Sequence, residues 1–203
     1  IREDTLLISI MGVNNETGVI QPISEIIEII QDHDCYFHVD AAQMFGKDID
    51  TLSNKRIDLM SISGHKVFGP KGIGALVTRL RNFNKPPLQP LFFGGGQQAK
   101  LRPGTLPVHL IVGLGTAAKI AKKNLKKRQE QNKKIYNQII KLMKSLNGNL
   151  NGDEKYLLGN CINFSIPTVD AEAFMLTTKD LISISNGSAC TSSSYEPSHV
   201  ILS

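Results

Sequence analysis

Apolar positions in the first part of the chain fall into short runs separated by polar, Gly- and Pro-bearing stretches. Residues 5–11, 35–39, 58–63 and 72–78 are apolar runs of strand length. Between the first two, residues 23–30 place Ile23, Ile26, Ile27 and Ile30 at helical spacing, with Pro22 and Ser24 as start signals. Strand alternating with helix predicts an α/β fold, a mixed, mainly parallel sheet flanked by helices. Residues 84–90 are proline-rich and read as a loop.

From Pro107 to about Leu146 the pattern turns helical, with Ile111, Leu114, Ala118, Leu125, Ile135, Ile139 and Leu142 able to line an inner face. One unbroken helix is not expected, because Gly113 and Gly115 weaken its start. The Asn- and Gly-rich residues 147–152 end it. Residues 161–166 then read as a strand, 171–177 as a helix and 181–185 as a further strand. A boundary near residue 115 is expected, between a larger domain (1–115) and part of a smaller C-terminal one (116–203).

The 203 residues carry a net charge of +5. Much of the excess lies between Lys119 and Lys134, where eight cations face the single acid Glu130. Clustered cations can neutralise phosphates, but no aromatic side chain interleaves these lysines, so the run reads as a solvated helix face and direct nucleic-acid binding is not expected. No apolar run approaches the ~18–20 residues of a membrane span. The three cysteines, Cys35, Cys161 and Cys190, cannot all pair and show no metal-site spacing, which suits a reducing cytoplasm. The chain opens at Ile1 without an initiator methionine or a charged leader, and is expected to be a piece of a longer protein.

The chemistry concentrates after two strand ends, where open α/β sheets place their ligand-binding groups. His38-Val39-Asp40-Ala41-Ala42-Gln43 follows one, and Ser63-Gly64-His65-Lys66 follows another. A carboxylate at Asp40 could hold a proton on a pyridine nitrogen while Lys66 forms a Schiff base, and Ser63 and His65 could hydrogen-bond a phosphate, as pyridoxal 5'-phosphate would need; read singly, a strand-end lysine is also a solvated surface residue and Asp40 a helix cap. Cys35 and Cys161 lie in apolar, strand-like stretches and read as small buried hydrophobes. Cys190 stands among Gly187, Ser188, Thr191, Ser192, Ser193 and Ser194, a polar setting suited to a thiolate that must travel.

Val13-Asn14-Asn15-Glu16-Thr17-Gly18, the two blocks above, Arg102-Pro103-Gly104-Thr105 and Gly187-Ser188-Ala189-Cys190-Thr191-Ser192 resemble, in sequence and order, the signature blocks of bacterial cysteine desulfurases, nearest to the group feeding iron–sulfur cluster assembly. The resemblance covers essentially the whole chain. It implies the type I fold of pyridoxal-phosphate-dependent transferases. It also implies that Lys66 bonds the cofactor aldehyde, Asp40 pairs with the pyridine nitrogen, Gln43 with the ring hydroxyl, and Ser63 and His65 with the phosphate, while Asn15 lies beside the ring. Thr105 matches a threonine that reaches the partner subunit's phosphate, which implies a homodimer. Cys190 is then the nucleophile that takes sulfur from L-cysteine as a persulfide, releases L-alanine and hands the sulfur to an acceptor protein such as a cluster scaffold. It is also the candidate transient iron–sulfur ligand.

Two positions depart from the family pattern. Gln98 stands where many relatives carry an acid, and Pro103 replaces a commoner small hydroxyl residue, which bears on the geometry of Thr105. The relatives' ring-stacking histidine and substrate-gripping arginine have no counterpart in these residues. The alternatives are a selenocysteine lyase or other type I fold enzyme, and a truncated, non-catalytic sulfur-relay or scaffold piece. The acceptor could serve cluster assembly, or tRNA or DNA sulfur modification.

Overall fold

The computed structural model describes residues 1–187 and 198–202. Its main sheet has the order β1 (Leu7–Met11), β2 (Tyr36–Asp40), β3 (Leu59–Ser63), β4 (Gly74–Thr78). β1 and β2 are parallel, as are β2 and β3; β4 returns antiparallel to β3. The parallel steps are made through α1 (Ile23–Ile29) and α2 (Ile49–Leu52), because parallel neighbours need a crossover. Asp48 caps α2 by accepting the Thr51 N–H at 3.2 Å. The α/β expectation, with a mixed and mainly parallel sheet, holds.

Period-two alternation sets the faces of β2. Phe37 and Val39 are fully buried, whereas His38 is half-buried and Asp40 exposed. Ile23, Ile27, Ile30, Met44, Ile57 and Met60 complete the interior of this part of the chain, and each large aliphatic or aromatic side chain contributes about 1.5–3 kcal/mol by leaving water.

The long helical stretch is two helices, α3 (Val108–Lys123) and α4 (Leu125–Ser145). The break comes at Asn124 (φ −101°, ψ 9°), not at the glycines. α3 runs straight through Gly113 and Gly115, so the boundary expected near residue 115 falls inside a helix. Gly113 is there because the Pro70 ring packs on it: a Cβ would lie 2.5 Å from Pro70 Cγ. The chain divides into one compact unit of Ile1–Gly12 with Gln21–Leu125, and a second of Val13–Ile20 with Lys126–Ser203.

The second unit pairs β5 (Asn149–Leu150) antiparallel to β6 (Phe164–Ser165), and adds α5 (Ala171–Thr178) and α6 (His199–Leu202) to α4. Asp170 caps α5 through the Ala173 N–H. The Val13–Ile20 turn joins it by a Val19–Leu157 bridge and by the Leu158 N–H donating to Gly18 O at 3.0 Å. Two sequence expectations fail here. Residues 181–185 form no strand; Leu181, Ile182 and Ile184 stay exposed, because no described residue offers them a ladder. The expected strand at 161–166 shrinks to β6 and leaves Cys161 outside it, half-buried, with its thiol on the carbonyls of Asn15 and Glu16. Cys35 is buried as expected. Among the described residues no helix is long and apolar enough to cross a membrane.

Candidate active site

Asp40 and Ser63 are the last residues of β2 and β3. The two strands are parallel, with Asp40 opposite Ser61, so their side chains leave the sheet at one edge. Asp40 Oδ1 accepts the Ala42 N–H at 2.9 Å, and among the described residues Oδ2 accepts nothing. The main chain around it is fixed by Ala41 N–H to Ser61 O at 2.9 Å and Gly12 N–H to Asp40 O at 2.8 Å. The carboxylate is thus held by its backbone while one oxygen stays open.

Lys66 sits on the short 3-10 turn Gly64–Val67 that follows β3 directly. Gly64 and Val67 of this turn are buried while Lys66 is exposed, and it makes no hydrogen bond or ion pair among the described residues. Gly64 makes this turn possible. A Cβ at that position would lie 2.7 Å from Ile73 Cγ2 and 2.9 Å from Ile73 O, and the Gly64 N–H donates to that same carbonyl at 2.9 Å. The turn closes with the Gly69 N–H on Gly64 O at 2.9 Å, and α3 packs against it through Ala117 beside Gly69. Ser63 Oγ lies 3.0 Å from His65 Nδ1, pairing the two expected phosphate donors.

The remaining expected residues are placed as follows. Gln43 is half-buried, its Oε1 and carbonyl both receiving Lys47 Nζ, at 3.3 and 2.7 Å. Thr105 is exposed in the loop before α3, where Arg102 donates to Pro103 O at 2.6 Å and Gly104 N–H to Gln97 Oε1 at 3.1 Å. Asn15 belongs to the second unit and is exposed. Cys190 lies outside the described residues.

One group received no role from sequence. His38 is gripped on both ring nitrogens, Nδ1 by Ser9 Oγ and Nε2 by Ser61 Oγ, each at 2.7 Å. Three strands are thereby joined on the face that carries Asp40. Burial pushes the His38 pKa below its usual value, partly opposed by the Asp40 carboxylate. The signal in sequence was Ser9, His38 and Ser61 on one pleat face, but it depends on register.

An uncommitted amine, a neighbouring carboxylate with an open oxygen, and a serine–histidine donor pair at one sheet edge fit an aldehyde-bearing pyridine phosphate, the amine as its anchor and the carboxylate as the partner of its ring nitrogen. Residues 1–203 match the model of the aminotransferase class-V family. The chain belongs to the aminotransferase class-V family. Members of this family depend on pyridoxal phosphate. Its similarity extends to the mitosomal cysteine desulfurase of Trachipleistophora hominis, 45% identical over 207 residues covering 99% of this chain and 46% of that protein. In structure it resembles DndA from Streptomyces lividans, with a TM-score of 0.82 and 48% identity over 89% of this chain and 51% of that one. It also resembles SspA in complex with cysteine, with a TM-score of 0.76 and 39% identity over the whole of this chain and 55% of that one. The chain spans about half the length of the curated relatives it matches.

Proposed function

We propose that the chain is the central and C-terminal part of a cysteine desulfurase, transferring sulfur from L-cysteine to Cys190 as a persulfide and releasing L-alanine. The observation that carries the reading is the open Asp40 oxygen and uncommitted Lys66 amine on adjacent strand ends. The cysteine desulfurase relatives support the substrate, as does the likeness to a protein solved with cysteine.

In this reading Lys66 anchors pyridoxal phosphate, Asp40 faces its ring nitrogen, Gln43 its ring hydroxyl, Asn15 its flank, and Ser63 with His65 its phosphate. Bound there, the cofactor supplies a sink for negative charge at the substrate's α-carbon. The freed Lys66 amine carries the α-proton. The Cys190 thiolate attacks the substrate sulfur. The S–Cβ bond breaks, its electron pair stays with the carbon fragment, and that fragment takes a proton and leaves as alanine. Thr105 serves the partner subunit's phosphate in a homodimer. The persulfide passes to an acceptor protein, a cluster scaffold being the acceptor proposed, and an iron–sulfur cluster resting on Cys190 would be cargo. The buried Cys35 thiol suits a reducing compartment, the cytoplasm in this reading.

In the full-length protein, Cys190→Ser should keep the cofactor absorbance and form no protein persulfide. A Cys190→Ser protein that still acquires persulfide sulfur overturns the nucleophile. Keto acid in place of alanine and sulfur as products would point to another enzyme of this family.

A further inference from the structure

Asp40 is the last paired residue of β2 on both sides. The ladder with β1 ends where Met11 lies opposite Asp40, and the ladder with β3 ends where Ser61 lies opposite it. Strand ends open more readily than strand centres, yet this end carries the carboxylate with the open oxygen. The carboxylate's own bond, to the Ala42 N–H two residues on, is local and cannot hold the strand end in place.

His38 precedes Asp40 by two residues, so the two side chains leave the same face of β2, about 7 Å apart along the strand. The carboxylate is close enough to act on the proton affinity of the ring. Ser9 stands opposite His38 on β1. The imidazole lies between the Ser9 and Ser61 hydroxyls, 2.7 Å from each. A neutral imidazole has one donor and one acceptor nitrogen, and a serine hydroxyl can answer either, so both contacts are satisfied at once. Ser61 thereby brackets Asp40. Its Oγ is bonded to His38 on one side, and its carbonyl accepts the Ala41 N–H at 2.9 Å on the other.

We infer that His38 is a positioning residue: bonded across β2 to Ser9 and Ser61, it braces the strand end and fixes the direction of the Asp40 carboxylate. The consequence for the cofactor rests on the desulfurase reading, in which Asp40 faces the ring nitrogen; the brace itself does not.

The test uses the full-length protein with His38→Ala, His38→Gln and Ser61→Ala. In the cofactor-free form, amide hydrogen exchange is followed at Ala41 and Ala42, with Phe37, bonded to Asp58 Oδ2, as the internal reference. His38→Ala should accelerate exchange at Ala41 and Ala42 and leave Phe37 unchanged. Ser61→Ala should act in the same direction. His38→Gln, which offers the serines both an acceptor and a donor, should restore most of the protection. Cofactor affinity, titrated by absorbance, is then measured in a double-variant cycle. His38→Ala should weaken it about tenfold, the scale of one or two hydrogen bonds. In an Asp40→Asn background the same change should stay within about twofold, because the carboxylate it positions is gone. Should His38→Ala fail to fold, Ser61→Ala replaces it in the exchange measurement and in the cycle. Exchange at Ala41 and Ala42 that does not change, or that rises equally at Phe37, overturns the proposal. So does an equal loss of cofactor affinity with and without the carboxylate. Asp40→Asn that binds cofactor as the parent does, while exchange still responds to His38→Ala, sinks the assignment of Asp40 to the ring nitrogen and leaves the brace standing.

Discussion

Arg56 and Asp58 form an ion pair in the interior, Nη1 to Oδ2 at 2.9 Å, with side-chain exposures of 11% and 1%. The same carboxylate oxygen accepts the Phe37 N–H at 2.8 Å. Arg56 Nη2 reaches the carbonyls of Ile30, His33 and Cys35 at 2.9–3.1 Å. The pair therefore closes the connection from α1 into β2 onto the approach to β3, and Arg81 joins it 3.7 Å from Oδ1 while lying over the Tyr36 ring. Truncating Asp58 strands Arg56 and Arg81 without their counter-charge. Asp58→Ala should cost about 3–5 kcal/mol, read from the shift of the chemical denaturation midpoint. Replacing Arg56 and Asp58 together by Met and Leu should still destabilise, because the Phe37 N–H and the carbonyls of Ile30, His33 and Cys35 lose these partners.

Gly64 carries a second prediction. Alanine there places its Cβ on Ile73 Cγ2 and Ile73 O, and the carbonyl cannot rotate away without losing the Gly64 N–H bond. Gly64→Ala should lower stability by about 1–3 kcal/mol and weaken cofactor retention, because the displaced segment carries Lys66. Denaturation and cofactor absorbance after dialysis, measured on one preparation, check both. Intact retention would show that the turn tolerates the methyl group.

The sheet and the strand ends that carry the candidate residues were legible because their signals are local. Residues 35–39 and 58–63 announce strands by composition, and the chemistry-bearing residues follow them at once. The antiparallel return of β4 leaves no comparable mark. The glycines of α3 misled in a definite way: Gly113 lowers helix propensity, yet the Pro70 ring occupies the space its missing side chain leaves. Residues 181–185 misled in the opposite sense, being apolar enough for a strand but without a described neighbour to bond. The His38 bridge and the Arg56–Asp58 pair needed register and tertiary placement. Glu16 was visible only as one letter of a motif until its burial and the Ser198 hydroxyl on its Oε1 were seen.

Lys66 gives a chemical prediction that does not depend on turnover. In the full-length protein, borohydride treatment should fix the cofactor covalently to the peptide containing Lys66, and Lys66→Ala should lose both the covalent adduct and, on dialysis, the absorbance. Peptide mapping by mass spectrometry decides it. A label on Lys71 or Lys47 would move the anchor elsewhere on the sheet edge. With cofactor resupplied, Lys66→Ala should still be slower by about 10²–10⁴-fold, the contribution of a positioned acid–base group.

His38 predicts how stability depends on pH. Burial lowers its pKa from 6.5 in the folded protein, with Asp40 opposing the shift. The other side chains facing the ring, Ser9 on β1 and Ser61 on β3, do not titrate in this range. Between the folded value and 6.5 the unfolded chain binds more protons than the native one, so stability rises with pH across that window. Its contribution is therefore complete above 6.5 and is lost as the pH falls through the folded value. His38→Gln keeps a donor and an acceptor for the two serines but removes the titration. Subtracting its denaturation free energy from the parent's at each pH isolates the histidine, and the difference should fall as the solution is acidified through this window and level off below it. A difference that grows on acidification would mean that the bridge between Ser9 and Ser61 holds the ring in its charged form, and a flat one that folding leaves the ring's proton affinity unchanged.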